Sequence, residues 1–361
     1  MLGQDARATS RVAPAGNTAQ GIWLTRGKEG RLTVYALAEG GIRRWTESGP
    51  GSQVWGQREL VPVSGLDHLS VTQDVNAYVH LIGRRRRETA DRRSVVDVVH
   101  AIQYQSGRPV TQWRSLGNPG EGVDAAGGVG RPAAVVTTTG MVHIFVRTAD
   151  GGLALRREQG DGKWRGWEDR KGVAGIEGSL AAIALSSGRM ELFATTAGGT
   201  LHWFQKEPGG GLGDGYPSSL AVARDTLAVL ETGPDRPTFY WTDPGGRGVV
   251  AYRAGGWPTA LGGAPGEGPH VAARALLDGY DCTVLAHRGD QGTAVVGVGI
   301  TEDEGNGLWW SDTGVRCLAA PALAQDAFGR LVVAVIGQDG VPQVARQTDE
   351  PGLTLSEWRT L

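Results

Sequence analysis

Cysteine is almost missing from this chain: Cys282 and Cys317 are the two in 361 residues. That excludes a disulfide framework and a cysteine-built zinc site, and both thiols read as ordinary core side chains. Long apolar runs are missing too. The opening stretch MLGQDARATSRVAPAGNTAQG lacks the apolar centre of a secretory leader, and nowhere do 18 apolar residues run together. A soluble cytoplasmic protein without membrane partners is therefore expected. Charge of one sign is also wanting: the net charge is −2, which disfavours nucleic acid as a partner of the whole surface. Only four of the 36 basic residues are lysine, a skew that points to genome composition more than to function. No H-E-x-x-H, H-x-E or G-x-S-x-G motif occurs, so neither a zinc enzyme nor a nucleophile elbow is indicated, and no cofactor or metal is expected.

Glycine, by contrast, is abundant, at 58 residues; an average chain of this size would hold less than half as many, at about 7%. Absence of a Gly-X-Y period excludes collagen. A hydrophobic content of 40% with twelve tryptophans excludes a disordered tract. What remains is a fold of short strands and tight turns.

The turns repeat. RLTVYALAEGG from Arg31, MVHIFVRTADGG from Met141, RMELFATTAGG from Arg189, RPTFYWTDPGG from Arg236, CTVLAHRGDQG from Cys282 and RLVVAVIGQDG from Arg330 are each a β-rich run closed by a Gly-containing turn. NAYVHLIGRRRR from Asn76 is a weaker seventh copy without the turn. Alignment places Val34, Val79, Ile144, Leu192, Phe239, Val284 and Val333 in one column, spaced by about 45 to 49 residues apart from one interval of about 65. The flanking columns are also largely apolar, as in strands covered on both faces. A tryptophan then opens a last strand in six units, at Trp55, Trp113, Trp167, Trp257, Trp310 and Trp358. Seven units of this length with about four strands each predict an all-β chain, a seven-bladed β-propeller of four-stranded antiparallel blades. Residues 21–361 form its single domain, with residues 1–20 as an extension that is either disordered or a ring-closing strand.

The blades carry neither the WD dipeptide nor a sialidase-type Asp-box. GRMELFATTAGGTLHWFQ from Gly188, GKWRGWEDRKG from Gly162, TQWRSLG from Thr111 and GGWPTALGG from Gly255 make the chain resemble the tectonin and PLL-type lectin propellers, over Gly21 to Leu361. That resemblance implies sugars in shallow grooves between blades, lying on aromatic rings, with Trp45, Trp113, Trp164, Trp167, Trp203 and Trp257 as ligand-binding candidates. Each of these also reads as an inter-blade packing residue. The repeats share their folding residues and little else: the column Thr33, Tyr78, His143, Glu191, Thr238, Thr283 and Val332 changes chemistry around the ring. One or two sites, or one pocket at the channel mouth, fit that divergence better than seven equivalent sites.

Other constellations compete. GRRRRETADRR, from Gly83, carries Arg84, Arg85, Arg86, Arg87, Arg92 and Arg93, and reads as an insertion in the second blade. It is either a solvated loop partly neutralised by Glu88 and Asp91 or a dock for an anionic partner. The acidic loop TEDEGNG from Thr301 reads as a solvated turn. If the ring is an enzyme, His80, His143, His287 and Glu191 are the acid/base candidates. The leading expectation is a non-catalytic, lectin-like propeller that binds a glycan or small molecule. A cyclase- or isomerase-type enzyme with one asymmetric pocket is the alternative, and a protein-interaction scaffold the third.

Overall fold

A computed structural model describes residues 21–88, 92, 94–120, 127–170 and 173–361. It contains seven four-stranded antiparallel sheets, each made of four strands consecutive in sequence. The blades span residues 22–62, 66–117, 133–169, 176–218, 228–262, 271–316 and 322–360. The expected seven-bladed β-propeller is the observed fold. The suggested roles of residues 1–20 lie outside the described residues. No helix among the described residues is long and apolar enough to cross a membrane.

The second strand of each blade carries a buried run: Leu32–Ala38, Val79–Glu88, Val142–Arg147, Met190–Thr196, Arg236–Thr242, Tyr280–Arg288 and Leu331–Ile336. Val34, Ile144, Leu192, Phe239, Val284 and Val333 are fully buried within them. Each packs into a cluster formed with a neighbouring blade, so the hydrophobic core is a set of seams between sheets.

In blade 2 the alignment is two residues out. The turn between its first two strands runs from Asp74 to Tyr78, with the amide of Asp74 bonded to the carbonyl of Tyr78, just as Gly27 bonds to Arg31 and Thr137 to Met141. Measured from that turn, Leu81 and not Val79 stands in the column of Val34 and Ile144, and His80 takes the place assigned to Tyr78. The slip went unseen because Val79 and Leu81 share one strand face. The long interval between blades 2 and 3 has two sources: a hairpin lengthened to Val79–Glu88 and Ser94–Gln103, and a long connection to blade 3.

The first strands of neighbouring blades adjoin around the axis, and each later strand lies farther out. Because successive strands run antiparallel, the connections between strands 1 and 2 and between strands 3 and 4 emerge at one end of the ring. Exposed Val75, Tyr104, Trp257, Tyr280, Trp309 and Phe328 all lie at or beside those connections. Blades 7 and 1 close the ring without a shared strand among the described residues. Arg346 of blade 7, a buried side chain, bonds to the buried carboxylates of Glu47 in blade 1 and Asp326 in blade 7, the latter at 3.1 Å. It also donates to the carbonyl of Ser52 at 2.9 Å, while Arg26 reaches the carbonyl of Asp326 at 2.7 Å.

Candidate functional site

Most of the tryptophans are engaged in joining blades. Trp203 is 1% exposed and packs against blade 3, and Trp45 is buried against blade 7. Trp164 and Trp167 lie half-buried on blade 2, where the Trp167 indole donates to the carbonyl of Leu116 at 2.9 Å. Trp310 repeats that bond three interfaces further round, to the carbonyl of Leu261 at 2.8 Å. Leu116 and Leu261 belong to the Leu-Gly pairs of TQWRSLG and GGWPTALGG, so the motif marks the place where the next blade's tryptophan lands. Trp113 packs partly against blade 1. Trp257 differs from all of these, being 91% exposed.

Trp257 borders a cleft of about 490 Å³, lined mainly by blade 5 with Glu191 from blade 4 and Glu304 from blade 6. Its place follows from the local sequence. A turn at Gly255-Gly256, with Gly255 at φ 81° and the amide of Gly256 bonded to the carbonyl of Arg253, throws the indole outward. Behind it lies an aromatic bed, in which Phe193 stacks on Phe239 at 4.6 Å and Trp241 meets Tyr252 at 5.8 Å. On the rim, the charged groups are fixed by ion pairs. Arg236 pairs with Glu302 at 2.9 Å, Arg253 with Glu304, and Asp235 with Arg189 at 3.5 Å. A hydrogen bond from Ser187, seconded by the Arg189 charge, holds the Asp235 carboxyl below its ordinary range. Glu191 is buried and faces the cleft, its Oε2 at 2.7 Å from Nε2 of the buried His202.

This cleft brings together two residues singled out from the sequence, Glu191 and Trp257. It adds Asp235, Arg236, Tyr252 and Arg253, with His202 behind Glu191, none of which stood out in the sequence. The TEDEGNG loop also changes meaning: Glu302 and Glu304 clamp blade 5 arginines, and the loop is not simply a solvated turn. Sequence could not show this, because the partners lie 66 and 51 residues apart.

His80, His143 and Glu191 occupy the same strand position in blades 2, 3 and 4, but each makes its own contacts. His80 stacks on His100 with ring nitrogens 3.1 Å apart, and His143 approaches the carbonyl of Met141 at 3.4 Å. Burial pushes His80 down to about 4, His100 to about 3 and His143 to about 4, and also lowers His287. These imidazoles are neutral at pH 7. His287 is 1% exposed between His270 and Trp310.

Arg84 to Arg87 lie in a strand and not in a loop. Two aspartates brace them: Asp67 faces Arg84 and Arg86, and Asp97 faces Arg85 and Arg87. Four guanidiniums on two carboxylates leave that hairpin basic. Arg92 is exposed, while Asp91 and Arg93 lie outside the described residues. No group of three or more potential ligands that could hold a metal ion occurs among the described residues.

No family model matches the chain, and no curated protein matches it. Solved structures do. The BP39L lectin from Burkholderia pseudomallei superposes with a TM-score of 0.67 at 14% identity, over 94% of this chain and 99% of that one. AofleA from Arthrobotrys oligospora gives 0.50 at 10% identity, over 95% and 86%. At these identities the likeness is one of fold: the chain shares a β-propeller architecture with these structures.

Proposed function

We propose that the protein is a non-catalytic binding propeller whose cleft beside Trp257 takes a saccharide. One observation carries this reading: an almost wholly exposed indole borders a cleft whose remaining lining is rich in immobilised hydrogen-bonding groups. An apolar ring face left in water beside fixed donors and acceptors suits a sugar, which has a C–H face and a belt of hydroxyls. The ion pairs of Arg236 and Arg253 hold those groups in place before the ligand arrives, which lowers the entropy lost on binding. The fold shared with the BP39L lectin supports the same reading. The cleft's lining comes chiefly from one blade, in keeping with a single site.

A broad glycan array identifies the ligand, and calorimetry on Trp257→Ala then tests the site. Loss of the indole weakens binding by about tenfold or more, since a contact that carries affinity costs over 1 kcal/mol when truncated. The reading fails if the array is blank, or if Trp257→Ala binds the identified glycan as the parent does.

A further inference from the structure

Exposed apolar side chains are not spread evenly over the end of the ring that carries them. Tyr280, Ile300 and Trp309 are 61%, 46% and 75% exposed, and all three belong to blade 6.

Strand register places them side by side. Across the sheet Tyr280 pairs with Leu277, Ile300 with Cys282 and Trp309 with Val298. Cross-strand partners share a face, and Leu277, Cys282 and Val298 all pack in the seam that holds Leu331 and Val333 of blade 7. The three exposed side chains therefore continue that seam beyond its buried part, on the blade 7 side of the sheet. Ile300 stands diagonal to Tyr280 on one strand and to Trp309 on the other, a spacing of about 7–8 Å that large side chains bridge. Trp310, next in sequence, turns to the opposite face and is bonded to blade 5. Of the two adjacent indoles, one is a strut and the other is left in water.

The border of this row is acidic. Its three flanking segments, residues 278–281, 300–309 and 347–358, contain eight carboxylates and no lysine, arginine or histidine. Asp281, Glu302 and Glu304 are paired with Arg274, Arg236 and Arg253. The other five, Asp278, Asp303, Asp349, Glu350 and Glu357, pair with no cation among the described residues. Blade 7 brings its share close: the amide of Gly352 donates to Asp278 at 2.7 Å, and Leu353 and Leu355 pack partly against the seam. Asp349 and Glu350 thus lie within three residues of that contact.

A contiguous apolar patch with a polar rim marks an interaction surface, and Trp and Tyr are the side chains that most often carry its affinity. The rim decides what can sit there. A second copy docking through the same patch would bring eight carboxylates against these eight, and an anionic lipid surface would bring phosphates; both are repelled. A basic partner is attracted, its arginines able to lie on the exposed rings and to reach the unpaired carboxylates. We infer that the row Tyr280, Ile300 and Trp309 is a docking surface for a protein segment in which arginine or lysine alternates with large apolar residues. The inference does not rest on the cleft at Trp257, which lies on blade 5.

Three synthetic peptides of equal length are the probes, alternating arginine with leucine, arginine with serine, and glutamate with leucine. Each is titrated into the full chain and followed by fluorescence anisotropy. The arginine–leucine peptide should bind at least about tenfold tighter than either of the others and weaken as salt rises. Trp309→Ala combined with Tyr280→Ala should cost about tenfold or more in affinity, with an unchanged thermal midpoint because both side chains are exposed. Asp278→Asn combined with Glu350→Gln should weaken binding severalfold and flatten its salt dependence. Trp257→Ala should leave it untouched. The inference is overturned if no peptide binds, or if the arginine–serine or the glutamate–leucine peptide binds as tightly as the first. Full affinity in the folded Trp309→Ala, Tyr280→Ala variant overturns it as well, by placing the peptide elsewhere on the ring.

Discussion

The indole Nε1 of Trp310 in blade 6 donates to the carbonyl oxygen of Leu261 in blade 5 at 2.8 Å, as Trp167 does to Leu116 across the seam between blades 3 and 2. Each bond ties the start of a fourth strand to the outer strand of the preceding blade. Trp310→Phe keeps most of the packing and removes the donor, so urea unfolding should show a loss of about 1–2 kcal/mol. Trp167→Phe should cost a similar amount, and Trp257→Phe close to nothing.

A larger loss is expected at the closure. Arg346→Met leaves the buried Glu47 carboxylate without a cation and Asp326 with Arg330 alone, at a cost of about 3–5 kcal/mol. Adding Glu47→Gln and Asp326→Asn removes the uncompensated charge and should restore much of that stability. If the triple variant is no better than the single one, the charge argument is wrong.

Glycines in the turns differ in what they tolerate. Gly199 sits at φ 143°, and a Cβ there would drive into the carbonyl oxygen of Ser218 in the outer strand; Gly198 next to it has open space. Gly199→Ala should lose at least about 2 kcal/mol, combining strain and a backbone clash. Gly198→Ala should fall within about 0.5 kcal/mol of the parent. Chemical denaturation of the pair separates the two roles.

The buried histidines set the acid limit. His80, His100, His143 and His270 titrate in the folded chain at about 4, 3, 4 and 3, chiefly through burial, against an ordinary 6.5. The unfolded chain therefore binds more protons between the two values. Stability is complete above pH 6.5 and is lost as pH falls through the folded values. Thermal midpoints should drop steadily from pH 6.5 toward pH 4. His100→Phe, which preserves the ring contact to Trp164 while removing one titrating group, should make that slope shallower.

The blade count was legible in the sequence because it rests on something periodic: one strand with a buried apolar run per unit, closed by one turn. Where the period was broken, the reading slipped. Ala77, at φ 61°, stands in blade 2 where Gly30, Gly140 and Gly188 stand in other blades, and without that glycine the copy was set two residues off. The tryptophans were visible and their roles were not, since a strut such as Trp167 and a free platform such as Trp257 look alike in a motif and differ only in what the neighbouring blade presents. Glu191 was legible as an odd residue in its column. Its partner His202 and the arginines held by Glu302 and Glu304 were not, because those contacts depend on side-chain placement across strands and between blades.

The closure between blades 7 and 1 joins two complete sheets, and no strand is traded across it among the described residues. Every gap in the ring is thus a boundary between finished units, and the linear order of the blades records only where the chain starts. Moving the break to another inter-blade connection, such as the one between Gly262 and Val271, would leave all seven sheets with their own strands. A ring assembled this way can change one blade without re-registering the rest, which is how seven copies of one scaffold can come to hold seven unlike seams.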